Sequence, residues 1–266
     1  MSASGAEERL VGADRVLAVL IELAQEPGGV TLDDMANRLG GSKPTIHRAL
    51  ATLRRAGLAT QVQRGTYVLG DEFFRLAFLN YAARPDGPLM MPVLEALVDR
   101  FGETAHYGVL DGRDIVYRAK LDPPQGAFRL TSVIGGRNPA QFTAVGKLLL
   151  SYAVSSEREL EEWVGSESIP SRTPNSIVST PALWQELQRT RERDYAIDDQ
   201  ENEVGVNCVA VPVRLDPGLP PVGAVSISAI AFRLPLTSLV DHVDEIRRIV
   251  DGRGAATPVG ERLPAS

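Results

Sequence analysis

Residues 31–69 read TLDDMANRLGGSKPTIHRALATLRRAGLATQVQRGTYVL, and the punctuation of this stretch decides the fold around it. Thr31 stands where a short helix needs an N-cap, Asp34 follows in the capping-box position, and Gly40 supplies the left-handed turn that ends the helix. Ser42 caps a second helix. There Ile46, Ala49, Leu50 and Leu53 share one face, while Lys43, Thr45, Arg48 and Thr52 lie towards the other. Gly57 closes that helix, and residues 58–63 and 66–69 are alternating runs that turn at Arg64 and Gly65, the pattern of a two-stranded wing.

Between Arg38 and Arg64 there are six basic side chains and no acidic one, in a chain of net charge −6. A helix-turn-helix lays its second helix in the major groove, where flanking phosphates favour such a strip. The plainer alternative is a solvated helical hairpin with ordinary surface arginines. Cap, turn, amphipathic helix, wing and charge all agree on a reader of double-stranded DNA. The candidate contacts are Ser42, Lys43, Thr45, His47 and Arg48 on the helix and Arg64 on the wing.

Working outward, residues 1–8 read as a disordered tail and residues 11–24 as an opening helix with Val16, Leu17, Leu20 and Leu23 inward, stopped by Pro27, Gly28 and Gly29. Residues 9–70 thus form a winged helix-turn-helix domain. Residues 71–81 (DEFFRLAFLNY) continue as a helix so apolar that it needs a partner, either its own domain or a second copy of the chain. Arg84-Pro85-Asp86-Gly87-Pro88 breaks the chain, so residues 71–88 are the linker and boundary.

Residues 89–252 then form a second domain, followed by a loose tail at 253–266. Its reading is a helix at 90–101 with Val93, Leu94, Leu97 and Val98 inward, strands at 104–110 and 115–120 around Asp111-Gly112-Arg113-Asp114, and a third strand at 128–134. Helices follow at 143–153, after a Ser155 cap, and at 181–193. Strands at 195–199, 207–214 and 221–230 precede one last amphipathic helix at 236–250, with Leu239, Val243, Ile246 and Val250 inward. Hairpin-joined strands with helices before, between and after imply an α+β domain on a mostly antiparallel sheet.

Composition narrows the function. At 266 residues the chain has room for about two domains, and 44% hydrophobic with 23% charged residues is usual for a soluble globular protein. No apolar run approaches the roughly 20 residues that span a bilayer, and the N-terminus lacks a signal-peptide pattern, so no membrane partner and a cytoplasmic location are expected. Cys208 is the only cysteine, which excludes an intrachain disulfide or a multi-thiolate metal site. His47, His106 and His242 are widely separated, so no metal is assigned, and no phosphate-cradling loop or nucleophile elbow calls for a cofactor or a catalytic residue.

Several stretches together resemble the IclR-type bacterial transcriptional regulators: GSKPTIHRALATLRRAGL (41–58), FGETAHYGVLDGRDIVYRAK (101–120), FTAVGKLLLSY (142–152), RERDYAIDDQENEVGVNCVAVPV (191–213) and GAVSISA (223–229). The resemblance implies a homodimer or homotetramer that binds an operator through its N-terminal domains, and a GAF-like C-terminal domain that takes a small-molecule effector, often a carboxylate. By position, the effector pocket would be lined by Ala144, Val145, Asp198, Cys208, Ser226 and Ser228. The chain departs from the family at Gln141 and Phe142, where many relatives carry histidine or leucine, and at Pro44, where serine is usual.

The residues themselves leave these roles open. Ala144 and Val145 begin a helix whose free N–H groups suit an anion, but Thr143 there is equally an ordinary cap. Ser226 and Ser228 point to one strand face, inward or outward. Cys208 reads as a small buried hydrophobe. Asp198 opens an acidic cluster with Asp199, Glu201 and Glu203, and Arg118, Arg129 and Arg137 are either anion partners or surface. Phe142, Val145 and Val209 are the expected apolar walls. The rival class is an enzyme using Cys208 as nucleophile, His106 or His242 as base and Asp198 as orienter.

Overall fold

The computed structural model describes residues 12–63, 65–83, 86–124, 130–166, 168–216 and 218–252, and divides the chain into two compact units between Pro85 and Asp86. The first unit runs α1 (Gly12–Gln25), β1 (Val30–Thr31), α2 (Leu32–Arg38), α3 (Lys43–Arg55), β2 (Ala59–Gln63), β3 (Thr66–Leu69) and α4 (Asp71–Ala83). Thr31 caps α2, its hydroxyl accepting from Asp34 N–H at 3.1 Å and donating to the Asp34 carboxylate at 2.7 Å, and Gly40 takes a φ of 58°. Such a cap is worth about 1 kcal/mol. Ser42 holds the N-cap position of α3, but its hydroxyl bonds Thr45 Oγ1 rather than a helix N–H.

Val19, Leu23, Met35, Ile46, Ala49, Leu50, Leu53 and Tyr67 form the core of this unit. Each large member stabilises it by roughly 1.5–3 kcal/mol through burial. Leu17, expected inward, is 56% exposed, because the buried stripe of α1 runs through 16, 19, 20 and 23 and leaves 17 off that face. The wing gains a third strand, order β1-β3-β2, that the sequence did not announce. In α4 no described side chain is buried, and Phe74, Leu76, Phe78, Leu79 and Tyr81 are exposed. The tails at 1–8 and 253–266 and Arg64 lie outside the described residues.

The second unit runs α5 (Asp86–Phe101), β4 (Thr104–Asp111), β5 (Asp114–Leu121), β6 (Arg137–Pro139), a 3-10 turn (Ala140–Phe142), α6 (Ala144–Ala153), α7 (Glu157–Val164), α8 (Thr180–Arg193), β7 (Ala196–Asp199), β8 (Val206–Val213), β9 (Gly223–Ile230), α9 (Leu236–Asp241) and α10 (Val243–Asp251). Its sheet has the order β6-β5-β4-β9-β8-β7, antiparallel throughout, which makes the fold α+β. Alternation gives the sheet two different faces. Ala105, Tyr107, Val209, Val211, Val225 and Ile227 pack with α5, α9 and α10, while Ala196, Ala210 and Ala224 pack with α6. The small side chains let α6 lie close, and a Cβ on Gly146 would meet Ala140 O at 2.1 Å.

Four local expectations are corrected. Asp86, Gly87 and Pro88 begin α5 instead of breaking the chain, since a proline costs no hydrogen bond in a first turn. Residues 130–134 are not a strand; the Lys120 ammonium takes the Leu130 and Ser132 carbonyls at 3.0 and 2.7 Å, and β6 is the third strand instead (128–129 lie outside the described residues). Ser156, not Ser155, caps α7, while Glu159 accepts from Ser155 N–H. The last helix is two, broken at His242, whose φ of −100° and ψ of 7° leave the helical region although Leu239, Val243, Ile246 and Val250 are all buried as expected.

Candidate functional site

In the first unit the exposed side of α3 carries Lys43, His47, Arg48, Thr52, Arg54 and Arg55, with Ser42 exposed at its start and Thr45 half-buried. The basic strip is less free than its sequence suggests. Arg38 donates to Glu22 of α1 and to Glu26 just after it, both at 2.6 Å, and Lys43 to Asp33 at 2.8 Å. Among the described residues Arg48 makes only a long bond from Nε to the Pro44 carbonyl, at 3.4 Å, which leaves its guanidinium edge open to them. A guanidinium so presented has the donor fork that pairs with guanine O6 and N7.

In the second unit a cavity of about 220 Å³ lies against the α6 face of the sheet. Asp198, Cys208 and Ser228 stand in one row across β7, β8 and β9, each opposite the next, and Ser226 faces His106 one row over. Ala144 and Val145 close the cavity at the start of α6. Thr143 caps that helix, accepting from Gly146 N–H at 2.9 Å, so the cap and the first-turn amides coexist. All six residues carried over from the resemblance line this one cavity. Phe142 and Val209 do not: Phe142 is buried with α7 and α8, and Val209, next to Cys208 in the strand, points to the opposite sheet face.

The chemistry of the lining is polar and mostly neutral. The Cys208 thiol donates to Ser228 Oγ at 3.1 Å, Ser228 Oγ lies 3.4 Å from His106 Nδ1, and His106 Nε2 lies 2.8 Å from Ser132 Oγ. Burial, helped by the Lys120 ammonium, pushes His106 down to about 3, so the ring is neutral at ordinary pH. Burial and the neighbouring Asp198 raise the Cys208 thiol well above its usual range. Asp198 is pushed up to about 7 by burial, with Glu201 adding to the effect and Lys147 opposing it. His242 packs edge-on against Phe101 in the core of the other sheet face. No group of three or more potential metal ligands occurs among the described residues.

Residues 12–63 match the IclR helix-turn-helix domain and residues 88–251 the bacterial transcriptional regulator IclR C-terminal domain. The chain belongs to the IclR family. It is 31% identical to the HTH-type transcriptional regulator XynR of Escherichia coli, over 88% of this chain and 92% of that protein. The crystal structure of the Thermotoga maritima IclR is 26% identical and covers 90% of this chain and 96% of its own, with a TM-score of 0.69. An IclR homolog from Microbacterium hydrocarbonoxydans, solved with 4-hydroxybenzoate, shares the fold at a TM-score of 0.73 and 21% identity, over 91% and 100% of the two chains.

This IclR regulator is therefore a DNA-binding transcriptional regulator with an effector-binding C-terminal domain. No helix among its described residues is long and apolar enough to cross a membrane. Sequence reading missed part of its cavity: His106, Tyr117, Ser132, Asn138, Arg172 and Asn202 also line it. Arg172 donates to Asn138 Oδ1 at 3.2 Å and Asn202 Oδ1 at 2.8 Å and stacks over Phe142 at 5.9 Å. Of the arginines weighed as anion partners, Arg118 pairs with Asp86 and Arg137 with Asp111 and Asp114, while Arg129 lies outside the described residues.

Proposed function

We propose that the cavity holds the effector, that this effector is a small carboxylate, and that its binding alters the grip of α3 on the operator. The observation that carries the reading is the convergence, in one cavity, of the α6 first-turn amides of Ala144 and Val145, the Ser226 and Ser228 hydroxyls and the Arg172 guanidinium. Helix-start amides and hydroxyls together suit a carboxylate. The homolog solved with 4-hydroxybenzoate supports the same ligand class. Cys208, Val145 and Val206 supply the apolar part of the wall.

On the DNA side, Arg48 reads base edges with Lys43, Thr45, His47 and Ser42 beside it, and Arg64 holds the backbone from the wing. The unburied aromatic face of α4 supports pairing of two copies through it, which gives two reader helices for two half-sites. With α5 starting at Asp86, the proposed boundaries are 9–70 for the reader, 71–85 for the linker and 86–252 for the effector domain. The regulator performs no catalysis: the raised Cys208 thiol supplies no thiolate near neutral pH, and His106, held neutral by burial down to about pH 3, is separated from it by Ser228.

The test is selection of preferred duplexes from a random pool by the full-length protein, followed by release from the selected duplex with a panel of hydroxybenzoates and short hydroxy acids. Release by at least one acid, blocked by Ser226→Ala with Ser228→Ala, is expected. Undiminished release from that double variant moves the effector out of the cavity.

A further inference from the structure

Resting on the reading of the cavity as an anion site, a further property follows from the charges behind its wall. Asp198 is 2% exposed and faces the cavity, Glu201 is 6% exposed, and Lys147 is wholly buried. Lys147 Nζ donates to Glu201 Oε1, and Glu201 Oε2 is buried with no hydrogen-bond partner among the described residues. Asp198 Oδ1 accepts from the N–H groups of Glu201 at 2.7 Å and Asn202 at 3.3 Å. Lys147 is thus paired with Glu201, and Asp198 joins the same buried cluster through the Glu201 backbone N–H, so two carboxylates stand near one ammonium. If both acids are ionised, one negative charge is left over.

Two arginines line the same cavity, and of these Arg137 of β6 is paired with Asp111 and Asp114. His106 of β4 is neutral, and the Tyr117 phenol of β5 and the Cys208 thiol of β8 are held protonated by burial. Glu186 of α8 adds repulsion on Glu201, and Glu203 lines the cavity as a further acid. Arg172, from the loop before α8, is exposed and donates to two neutral amide oxygens. An anion held by the Ala144 and Val145 amides and Arg172 would still face the ionised Asp198 in the same cavity, and like charges so placed favour the protonated acid.

We infer that the cavity takes up one proton from solvent with each monoanion it binds, and that Asp198 is the residue that holds it. Ionised Asp198, a proton and the ligand carboxylate combine into a complex in which Asp198 is neutral and the ligand keeps its charge. The proton turns Asp198 into a donor: its O–H is given to the ligand while Oδ1 goes on accepting the two backbone N–H groups. A dianion restores the surplus and is selected against. Burial already pushes the free carboxyl up to about 7, so the proton is easily taken up near neutrality. Above that value, affinity falls roughly tenfold per pH unit.

The experiment is titration calorimetry on the full-length protein with 4-hydroxybenzoate, 3-hydroxybenzoate and lactate, at about pH 6 and about pH 8, each in two buffers of different ionisation enthalpy. Roughly tenfold weaker binding at the higher pH is expected, with uptake near one proton there and near none at the lower pH. Asp198→Asn should abolish both the uptake and the pH dependence. Equal affinity at both pH values without uptake overturns the proton linkage and leaves the anion cavity standing. Uptake that persists in Asp198→Asn overturns the assignment to Asp198. Binding of none of the three acids at either pH overturns the anion cavity and the linkage with it. Because uptake is read on the parent protein, a variant that fails to fold leaves the inference exposed to refutation.

Discussion

Cys208 and Ser228 stand directly opposite each other across β8 and β9, and the thiol donates to the Ser228 hydroxyl at 3.1 Å. Ser228 is in turn within 3.4 Å of His106 Nδ1, so one hydroxyl serves two neighbours. Ser228→Ala removes an acceptor and a donor from the cavity wall. Effector affinity should drop several-fold, the equivalent of about 0.5–1.5 kcal/mol per lost bond, while effector-free operator binding stays near that of the parent. Calorimetry with the effector and anisotropy with the operator check the two halves separately.

Among the described residues Arg48 presents an open guanidinium on the exposed face of α3, whereas Arg64 is proposed as a backbone contact from between β2 and β3. Arg48→Ala should cost about 1–3 kcal/mol on the operator and little on random duplex, because base-edge pairing carries the sequence information. Arg64→Ala should weaken both and flatten the salt dependence. Competition between operator and random duplex over a salt series distinguishes them; equal loss on both for Arg48→Ala assigns that residue to phosphate.

Phe74 and Phe78 are 47% and 68% exposed on α4. Replacing both with polar residues should shift the protein towards monomer and lower operator affinity in parallel. Analytical ultracentrifugation of the double variant reads the first, and an oligomer that persists unchanged places the contact elsewhere.

The Lys147 ammonium is wholly buried and donates to Glu201. Lys147→Met leaves Glu201 buried without its cation and should destabilise the protein by about 3–5 kcal/mol, seen as a lower urea midpoint. Adding Glu201→Leu removes the stranded acid as well and should recover much of that loss. A double variant no more stable than Lys147→Met alone is the contrary result.

Burial raises the folded-state pKa of Asp198 from the ordinary carboxylate range to about 7. The folded protein therefore binds the proton more tightly than the unfolded chain, so stability falls as pH rises from about 4 and levels off above about 7. Every tenfold gain in proton affinity on folding corresponds to about 1.4 kcal/mol. Asp198→Asn lacks this penalty and should gain stability relative to the parent between about pH 5 and about pH 8, by a few kcal/mol. Denaturant midpoints of both proteins across that range decide it; parallel curves contradict the raised pKa.

Much of the reader unit was legible because its signals are local: the Thr31 and Asp34 cap, the left-handed Gly40 and the buried α3 stripe each depend on neighbours within a few residues. The failures were also local in origin. At His242 the helical period continues through a break that no glycine or proline marks, and at 130–134 the backbone gives two carbonyls to Lys120 rather than to a ladder. Alternation put Ser226 and Ser228 on one strand face, but only strand register could align Asp198, Cys208 and Ser228. Arg172 and Asn138 reach the cavity with no periodic pattern to announce them. Val209 was misplaced although its odd place beside Cys208 already sent it to the other side of the sheet.

That two-sidedness bears on how such a regulator diverges. The side chains that line the cavity and those that hold α5, α9 and α10 alternate along the same strands, so on the proposed reading a substitution at 226 or 228 would alter what is sensed without entering the packing of 225 or 227. New chemical inputs can accordingly be acquired by single changes on one face while the scaffold on the other is inherited intact. Asp198 is the exception, since through Glu201 and Lys147 it ties the sensed face to a buried charge cluster, and its replacement changes both at once.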